Sequence, residues 1–268
     1  MKQLISTQNV ILSLSALLLF SCGNDQNESI TDEKAAAQTE TVKQLSDEDK
    51  FSQKMAAIDS NQQLQVINGL AYNNQSEISI QVNGYLDRND LEVKIEEVYN
   101  DAKTGNNERT SFYIEGGKKF ATRQIIFDNT KKPSVFTERI SFYDKDQKVI
   151  FTKAREAEYE ELLSTVNFKP VSLFDCKIDR AMRALNEEGE FETAFQGFVE
   201  TKTVDYILVG ANAENGFVSS LAVVMPSAFT FELKSNQQKY IGQLLEVQFQ
   251  KTMEANVAYQ ALVDIRFK

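Results

Sequence analysis

Apolar and polar residues alternate along most of the segment 76–157, and this period of two constrains the fold more than any other feature of the chain. Ile78, Ile80 and Val82 lie on one face of a predicted strand, and the alternation resumes after the turn residues DRND. The same pattern recurs in TSFYIEGGKKFATRQIIFD and in SVFTERISFYDKDQKVIFTKA. We therefore predict about six strands, joined by hairpins into an antiparallel meander with one apolar face to be covered.

Amphipathic helices are predicted on both sides of this meander. Ser46, with Asp49 three residues later, has the spacing of a capping box, so a helix should begin the folded part. Apolar residues at helical spacing predict two further helices, at 156–166 and at 172–187, and Ser172 should cap the second of them. We expect one or both of the helices at 156–166 and 172–187 to cover the apolar face of the sheet.

Strand patterns return beyond residue 188, in FETAFQGFVET, VDYILVGA, FVSSLAVV, AFTFEL, LLEVQFQ and AYQALVDIRF. Asn215 and Gly216, between two apolar runs, make the strongest hairpin signal in the chain. This spacing is compatible with a small barrel, with a β-sandwich, or with a continuation of the first sheet. The predicted fold class is thus α+β and β-rich, with helix, meander and covering helices at 46–187 and a smaller β-barrel-like or β-sandwich subdomain at 188–268.

The segment KYIGQLLEVQF, with Tyr240, Gly242 and Val247, resembles part of the OB-fold-like domains of other lipoproteins. The resemblance implies a small barrel in the C-terminal subdomain. It carries no functional signature.

The first 21 residues have the properties of a secretory signal. Their apolar core, VILSLSALLLF at 10–20, is too short to span a bilayer of about 30 Å of hydrocarbon. Leu19, Ser21 and Cys22 resemble the lipobox of bacterial lipoproteins. The resemblance implies a signal peptide at 1–21, cleavage between Ser21 and Cys22, and attachment of acyl chains such as palmitate to Cys22.

Residues 22–45 are rich in Asn, Gln, Ser, Thr and acidic residues and contain few large apolar groups. Such a segment cannot bury enough surface to offset its conformational entropy, so we predict a lipidated, flexible tether. Gly23 stands where an aspartate would resemble the inner-membrane retention signal of enteric bacteria. By this analogy we expect a location in the cell envelope, at the outer membrane.

Composition excludes several kinds of chemistry. The chain has no histidine, which removes Ser/His and Cys/His nucleophile pairs and every His-ligated metal site. Its formal charge of -10 repels phosphate backbones, so nucleic acid is not an expected partner. Cys176 is the only other cysteine besides Cys22, and we expect it to pack as a small buried apolar group. No catalytic residue, metal or cofactor is predicted.

Several motifs that superficially suggest a site are better explained by local structure. GGKK at 116–119 and DKDQKV at 144–149 are predicted hairpin turns, because neither completes a phosphate loop or a calcium loop. Two groups of glutamates are predicted to be solvated faces, because neighbours on one segment do not face each other across a cleft: Glu156, Glu158, Glu160 and Glu161, and Glu187, Glu188, Glu190 and Glu192.

These patterns lead to one main functional hypothesis and two alternatives. The main one is a membrane-anchored, exported lipoprotein that serves as a non-enzymatic binding or structural module. Its expected partners are the membrane, through acyl chains on Cys22, and another envelope protein or a hydrophobic small molecule. A helix-covered meander also resembles the open half-barrels of lipid-carrying envelope proteins, which implies a carrier of a hydrophobic ligand in a large apolar cavity. The second alternative is a carboxylate-based hydrolase.

Overall fold

A computed structural model describes residues 46–213, 216–254 and 257–268 and confirms a β-rich α+β fold. The predicted signal peptide and tether lie outside these residues. The described helices are α1 Asp47–Asp59, α2 Asp179–Leu185, α3 Ala228–Ser235 and α4 Gln237–Tyr240. The described strands are β1 Gln65–Asn73, β2 Ile78–Leu86, β3 Glu92–Asp101, β4 Asn106–Glu115, β5 Lys118–Asp128, β6 Val135–Tyr143, β7 Val149–Ala157, β8 Lys169–Pro170, β9 Ala194–Val199, β10 Asp205–Gly210, β11 Val218–Val223, β12 Leu245–Glu254 and β13 Val257–Phe267.

Helix α1 begins at the predicted capping box. The Ser46 hydroxyl accepts a hydrogen bond from the Asp49 amide at 3.1 Å, and the Asp49 carboxylate accepts one from the Ser46 amide at 3.3 Å. The helix packs on one face of the sheet, where Met55 is buried and the Phe51 ring stacks on Phe142 with 5.7 Å between centroids. The prediction that a capped helix begins the folded part is confirmed, whereas its position over the sheet was not predicted.

The antiparallel meander is also confirmed, and it begins one strand earlier than predicted. Strands β1 to β7 pair in sequence order, each antiparallel to the next. The extra strand β1 lacks a clean alternation because its register shifts between Asn68 and Ala71. Gly69 lies in this bulge, where an added Cβ would stand 2.5 Å from the Val82 carbonyl oxygen, so no larger residue fits.

The C-terminal strands continue the same sheet. Strand β11 is antiparallel to β10, meets β1 through Asn73 and Val218, and meets β13 in parallel through Ala222 and Ala261. The strands of the described residues thus form one open, mixed sheet of 13 strands. Strands β10 and β11, which flank the predicted Asn215-Gly216 turn, pair antiparallel as a hairpin requires, and Asn215 itself lies outside the described residues.

The C-terminal strand order bears on the OB-fold-like resemblance. The five strands follow the order β9, β10, β11, β13, β12, and an isolated bridge between Ala194 and Leu244 links the first to the start of the last. Helix α3 lies between β11 and β12 in the chain. A partly open five-stranded barrel is compatible with this order, and the OB-like assignment stays a prediction.

The strand predicted at AFTFEL is wrong, because these residues belong to α3. Ser227 caps this helix by accepting the Thr230 amide at 3.1 Å, while the Thr230 hydroxyl accepts the Ser227 amide at 2.8 Å. Thr230 and Leu233, one turn apart, are its buried residues. A short run of alternating apolar residues is compatible with either a strand or a helix. Here the Ser227 cap favours the helix.

The helix predicted at 156–166 is wrong as well. Glu156 and Ala157 still belong to β7, where they pair with Thr137 and Phe136 of β6. What remains is a 3-10 turn, Glu160–Thr165, with Leu163 as its buried residue. Because Glu156 and Ala157 pair with β6, they are not available to form the first turn of the predicted helix.

The helix predicted at 172–187 is shortened to α2, Asp179–Leu185, and Ser172 does not cap it. The chain before α2 runs over the sheet without helical hydrogen bonds. The Phe174 amide donates to the Thr152 hydroxyl at 3.1 Å, and the Cys176 amide donates to the Tyr143 hydroxyl at 3.1 Å. Side chains of the sheet thus occupy the backbone groups that a helix would have used.

The larger hydrophobic core contains residues from both sides of the predicted boundary at 187 and 188. Leu70 and Ile95 of the meander and Ile207 and Leu245 of the C-terminal strands belong to the same cluster of buried side chains. The segment Gln44–Lys268 forms one compact unit. Two subdomains within it stay a prediction.

Candidate ligand-binding site

The two residues to which the lipobox assigns a role, Ser21 and Cys22, lie outside the described residues. The structure instead points to a concave surface that the sequence did not suggest. It lies where the turn between β1 and β2 approaches β9 and the loop between β10 and β11.

This surface, which we name the amide pocket, has a volume of about 550 Å³. That size falls within the usual range of small-molecule sites, about 300–1,000 Å³. The described residues that line it are uncharged, and five of them contribute carboxamide side chains. The lining residues are Asn73, Asn74, Gln75, Gln196, Ala211, Asn212, Ala213, Gly216, Val218 and Ser220.

The turn between β1 and β2 presents three amides in a row because Asn74 closes it. Its side-chain oxygen accepts the backbone N–H groups of Ser76 and Ile78, each at 3.0 Å. Only the oxygen of a carboxamide can accept, so the NH₂ group of Asn74 remains as a donor. Asn73 and Gln75 flank it with side chains that have no hydrogen-bond partner among the described residues.

The opposite wall comes from β9 and from the loop after β10. Gln196 donates its Nε2 to the Gly210 carbonyl at 3.0 Å, which leaves its Oε1 as an acceptor. Asn212 is exposed, and its side chain is without a hydrogen-bond partner in the part of the chain that the structure describes. The pocket therefore offers both donors and acceptors.

The base of the pocket depends on a close approach of two backbone segments. Gly216 is buried, and a Cβ added to it would lie 2.4 Å from the Ala211 carbonyl oxygen. The Ala211 amide donates to the Phe217 carbonyl at 3.2 Å, and the Phe217 amide donates to the Glu190 carbonyl at 3.1 Å. Glycine at position 216 is thus required by space, as its place in the predicted hairpin suggested.

The described lining of the amide pocket offers hydrogen-bond donors and acceptors. Among the residues that the structure describes, those that line it carry no carboxylate, amine, thiol or phenol. Carboxamides and the Ser220 hydroxyl can bond to a neutral ligand with several hydroxyl or amide groups. No local signal in the sequence connects Asn73–Gln75 with Gln196 or Asn212.

A second concave region is charged and is occupied by its own ion pairs. It crosses β3 to β7 between α1 and the 3-10 turn, and Asp59 and Glu96 both line it. These two acids share Lys94, whose ammonium lies 3.0 Å from Asp59 and 3.4 Å from Glu96. Nearby, buried Glu138 lies 2.5 Å from the guanidinium of Arg123 and 2.5 Å from that of Arg155.

This pairing bears on the hydrolase alternative. Each of the inward-facing acids already binds at least one cation, so the region resembles a structural network that attaches α1 to the sheet. Four of the eight glutamates singled out in the sequence also form ion pairs: Glu156, Glu160, Glu187 and Glu190. Glu160 pairs with Arg109 at 2.6 Å, and Glu190 pairs with Arg183 at 2.7 Å.

Cys176 belongs to the segment that precedes α2, and its side chain is buried. Its side chain is 8% exposed, and burial is the main cause that raises the pKa of its thiol to about 12. Its surroundings thus favour the neutral thiol, which is a weak nucleophile.

We expect Cys176 to be inert in the native protein. In a mature chain carrying Cys22→Ala, a disulfide reagent such as DTNB at pH 8 should react at least about 100-fold more slowly in buffer than in concentrated urea, because burial removes both access and thiolate. Absorbance of the released thiolate measures the rate. Equal rates in the two solutions would contradict a packing role for this residue.

Searches beyond this chain identify no relative: no family model, curated protein or solved structure matches it. Among the described residues no helix combines the length and hydropathy that crossing a bilayer requires. The described ranges also contain no group of three or more Cys, Asp or Glu side chains arranged to hold a metal ion.

Proposed function

We propose that this protein is an exported lipoprotein, held at the outer membrane by acyl chains on Cys22, that binds a neutral polar ligand in the amide pocket without transforming it. The lipobox-like residues support the anchor. The amide pocket is the single observation that carries the binding role, because it combines a ligand-sized volume with five carboxamide side chains among its described lining residues.

The lining favours a saccharide as the ligand class. A carboxamide presents a donor and an acceptor side by side, which matches the hydroxyl groups of a sugar ring. The lining residues that the structure describes include no ionic group that would select for an anion or a cation. A neutral glycan of the cell envelope is therefore the partner that this chemistry fits.

Neutral saccharides test the proposal directly. A panel of neutral mono- and disaccharides, titrated into the mature chain carrying Cys22→Ala, should shift the side-chain amide signals of Gln196 and Asn212 in nitrogen-proton NMR spectra. Gln196→Ala and Asn212→Ala should each weaken binding about 3- to 10-fold, because each removes about one net hydrogen bond.

The matched control is Gln248→Ala. Gln248 is an exposed carboxamide on β12 and does not line the amide pocket, so its loss should leave the affinity unchanged. Equal effects of Gln248→Ala and Gln196→Ala, or no amide shifts with any saccharide in the panel, would rule out this pocket as the ligand site.

The carrier alternative expects a large apolar cavity between the sheet and the covering helices. In the described residues that space is filled: Ala181 and Ala184 of α2 pack into the same buried cluster as Leu70, Ile80 and Ile95. A carrier of a whole lipid is therefore not favoured.

A further inference from the structure

A smaller apolar cavity lies beside α2, at the ends of two hairpins, and we name it the turn pocket. Its volume is about 390 Å³. Leu91 of the turn between β2 and β3, Ile114 of β4, and Ile178 and Met182 at α2 provide apolar walls. The turn of Gly116 and Gly117 closes one side with bare backbone. The cavity is separate from the amide pocket, with which it shares no lining residue.

Two carboxylates at this pocket have no cation. Asp90 and Glu92 line it on either side of Leu91, and neither side chain has an ion pair or hydrogen bond with another described residue. Glu92 is partly buried, and a Cβ added to Gly84 would lie 3.5 Å from its Oε1 and 3.1 Å from Leu185. Partial burial raises the pKa of Glu92.

The lysine at this pocket cannot neutralise those acids. The Lys119 ammonium lies 3.2 Å from Asp175, donates to the Cys176 carbonyl, and stands 3.9 Å from the centre of the Tyr143 ring. Hydrogen bonds to Asp175 and Cys176 use two of its three N–H groups. Among the described residues, the turn pocket thus combines unpaired negative charge at Asp90 and Glu92 with an apolar lining.

We infer that the turn pocket binds a ligand in which a cation is attached to an apolar chain, such as an alkylammonium. The apolar part fills the space between Leu91, Ile114 and Met182, and the cation lies between Asp90 and Glu92. Such a ligand gains free energy both from apolar burial and from a partly desolvated ion pair. A fatty acid lacks the cation, and a small hydrated cation lacks the apolar chain.

Met182 provides a local signal for the test. In the mature chain carrying Cys22→Ala, with methionine methyl groups labelled with carbon-13, decylammonium below its micelle-forming concentration should shift the Met182 signal. The methyl signals of Met55, Met225 and Met253 should not shift, because these residues do not line the pocket. Decanoate and butylammonium should bind at least about tenfold more weakly, because each lacks one of the two required parts.

Variants separate the two contributions. Glu92→Gln should weaken decylammonium binding about 3- to 10-fold, and Leu91→Ser should weaken it similarly by removing a wall that is 61% exposed and therefore dispensable for folding. Glu158→Gln removes the same charge from an exposed site away from the pocket and should have no effect. Stronger binding of decanoate, an unchanged affinity of Glu92→Gln, or equal shifts at all methionines would overturn the inference while leaving the saccharide proposal untouched.

Discussion

Replacing Cys22 with alanine should move the protein from the membrane fraction to the soluble fraction. Each buried CH₂ group of an acyl chain contributes about 0.8 kcal/mol, and two chains exceed the marginal, reversible binding of one. The variant needs an ordinary secretory leader in place of residues 1–21, so that an uncleaved apolar run does not itself hold the membrane. Fractionation should then find less than about a tenth of the protein with the membranes.

Cys176→Ala, with the natural leader, is the matched control. It removes the other cysteine, and membrane association should be unchanged. Mass spectrometry of the mature wild-type protein should find an N-terminus at Cys22 carrying acyl chains. An unmodified terminus at another residue would contradict the lipoprotein assignment.

Replacing Phe191 with alanine should lower the free energy of unfolding by about 3–5 kcal/mol. Phe191 is fully buried, its ring lies 5.1 Å from Tyr72 and 4.7 Å from Phe217 between centroids, and its carbonyl accepts the Tyr72 hydroxyl at 2.9 Å. The substitution thus leaves a cavity between the meander and the C-terminal strands. Urea unfolding followed by tyrosine fluorescence and circular dichroism measures the change, since the chain contains no tryptophan.

Phe231→Ala is the control for this experiment. Phe231 lies on α3 with 61% of its surface exposed, so its removal should change stability by about 0.5 kcal/mol or less. Wild-type protein should unfold in a single transition if the shared core couples both parts, and in two if 46–187 and 188–268 are independent. A cost below about 1 kcal/mol for Phe191→Ala would contradict the packing described for this core.

The meander could be predicted because its information is local. Alternation of side chains across a strand and turn residues between strands act within about ten residues of each other, so β2 to β7 follow from the pattern alone. Strand β1 was missed because the bulge at Gly69 interrupts its alternation. The predicted helices at 156–166 and 172–187 failed because hydrogen bonds from β6 and from the side chains of Tyr143 and Thr152 took precedence over helical spacing.

Neither pocket could be predicted, because each joins residues that are distant along the chain. The amide pocket brings Asn73 and Asn74 to Gln196 and Asn212, and the turn pocket brings Glu92 to Met182. Carboxamides and short acidic turns are common on protein surfaces, so they indicate a site only where several of them lie close together in space. That proximity is set by the register of the paired strands and cannot be recognised in any short stretch of sequence.

The amino-acid sequence by itself determined the β-rich class, the hairpin order of the meander, the resemblance of Leu19, Ser21 and Cys22 to a lipobox, and the exclusion of histidine chemistry. These are consequences of residue type and short spacing. Only the tertiary structure decided that the C-terminal strands share a sheet and a core with the meander, and which polar side chains meet in a pocket. Those outcomes depend on long-range pairing and side-chain packing, which select among local conformations of nearly equal free energy.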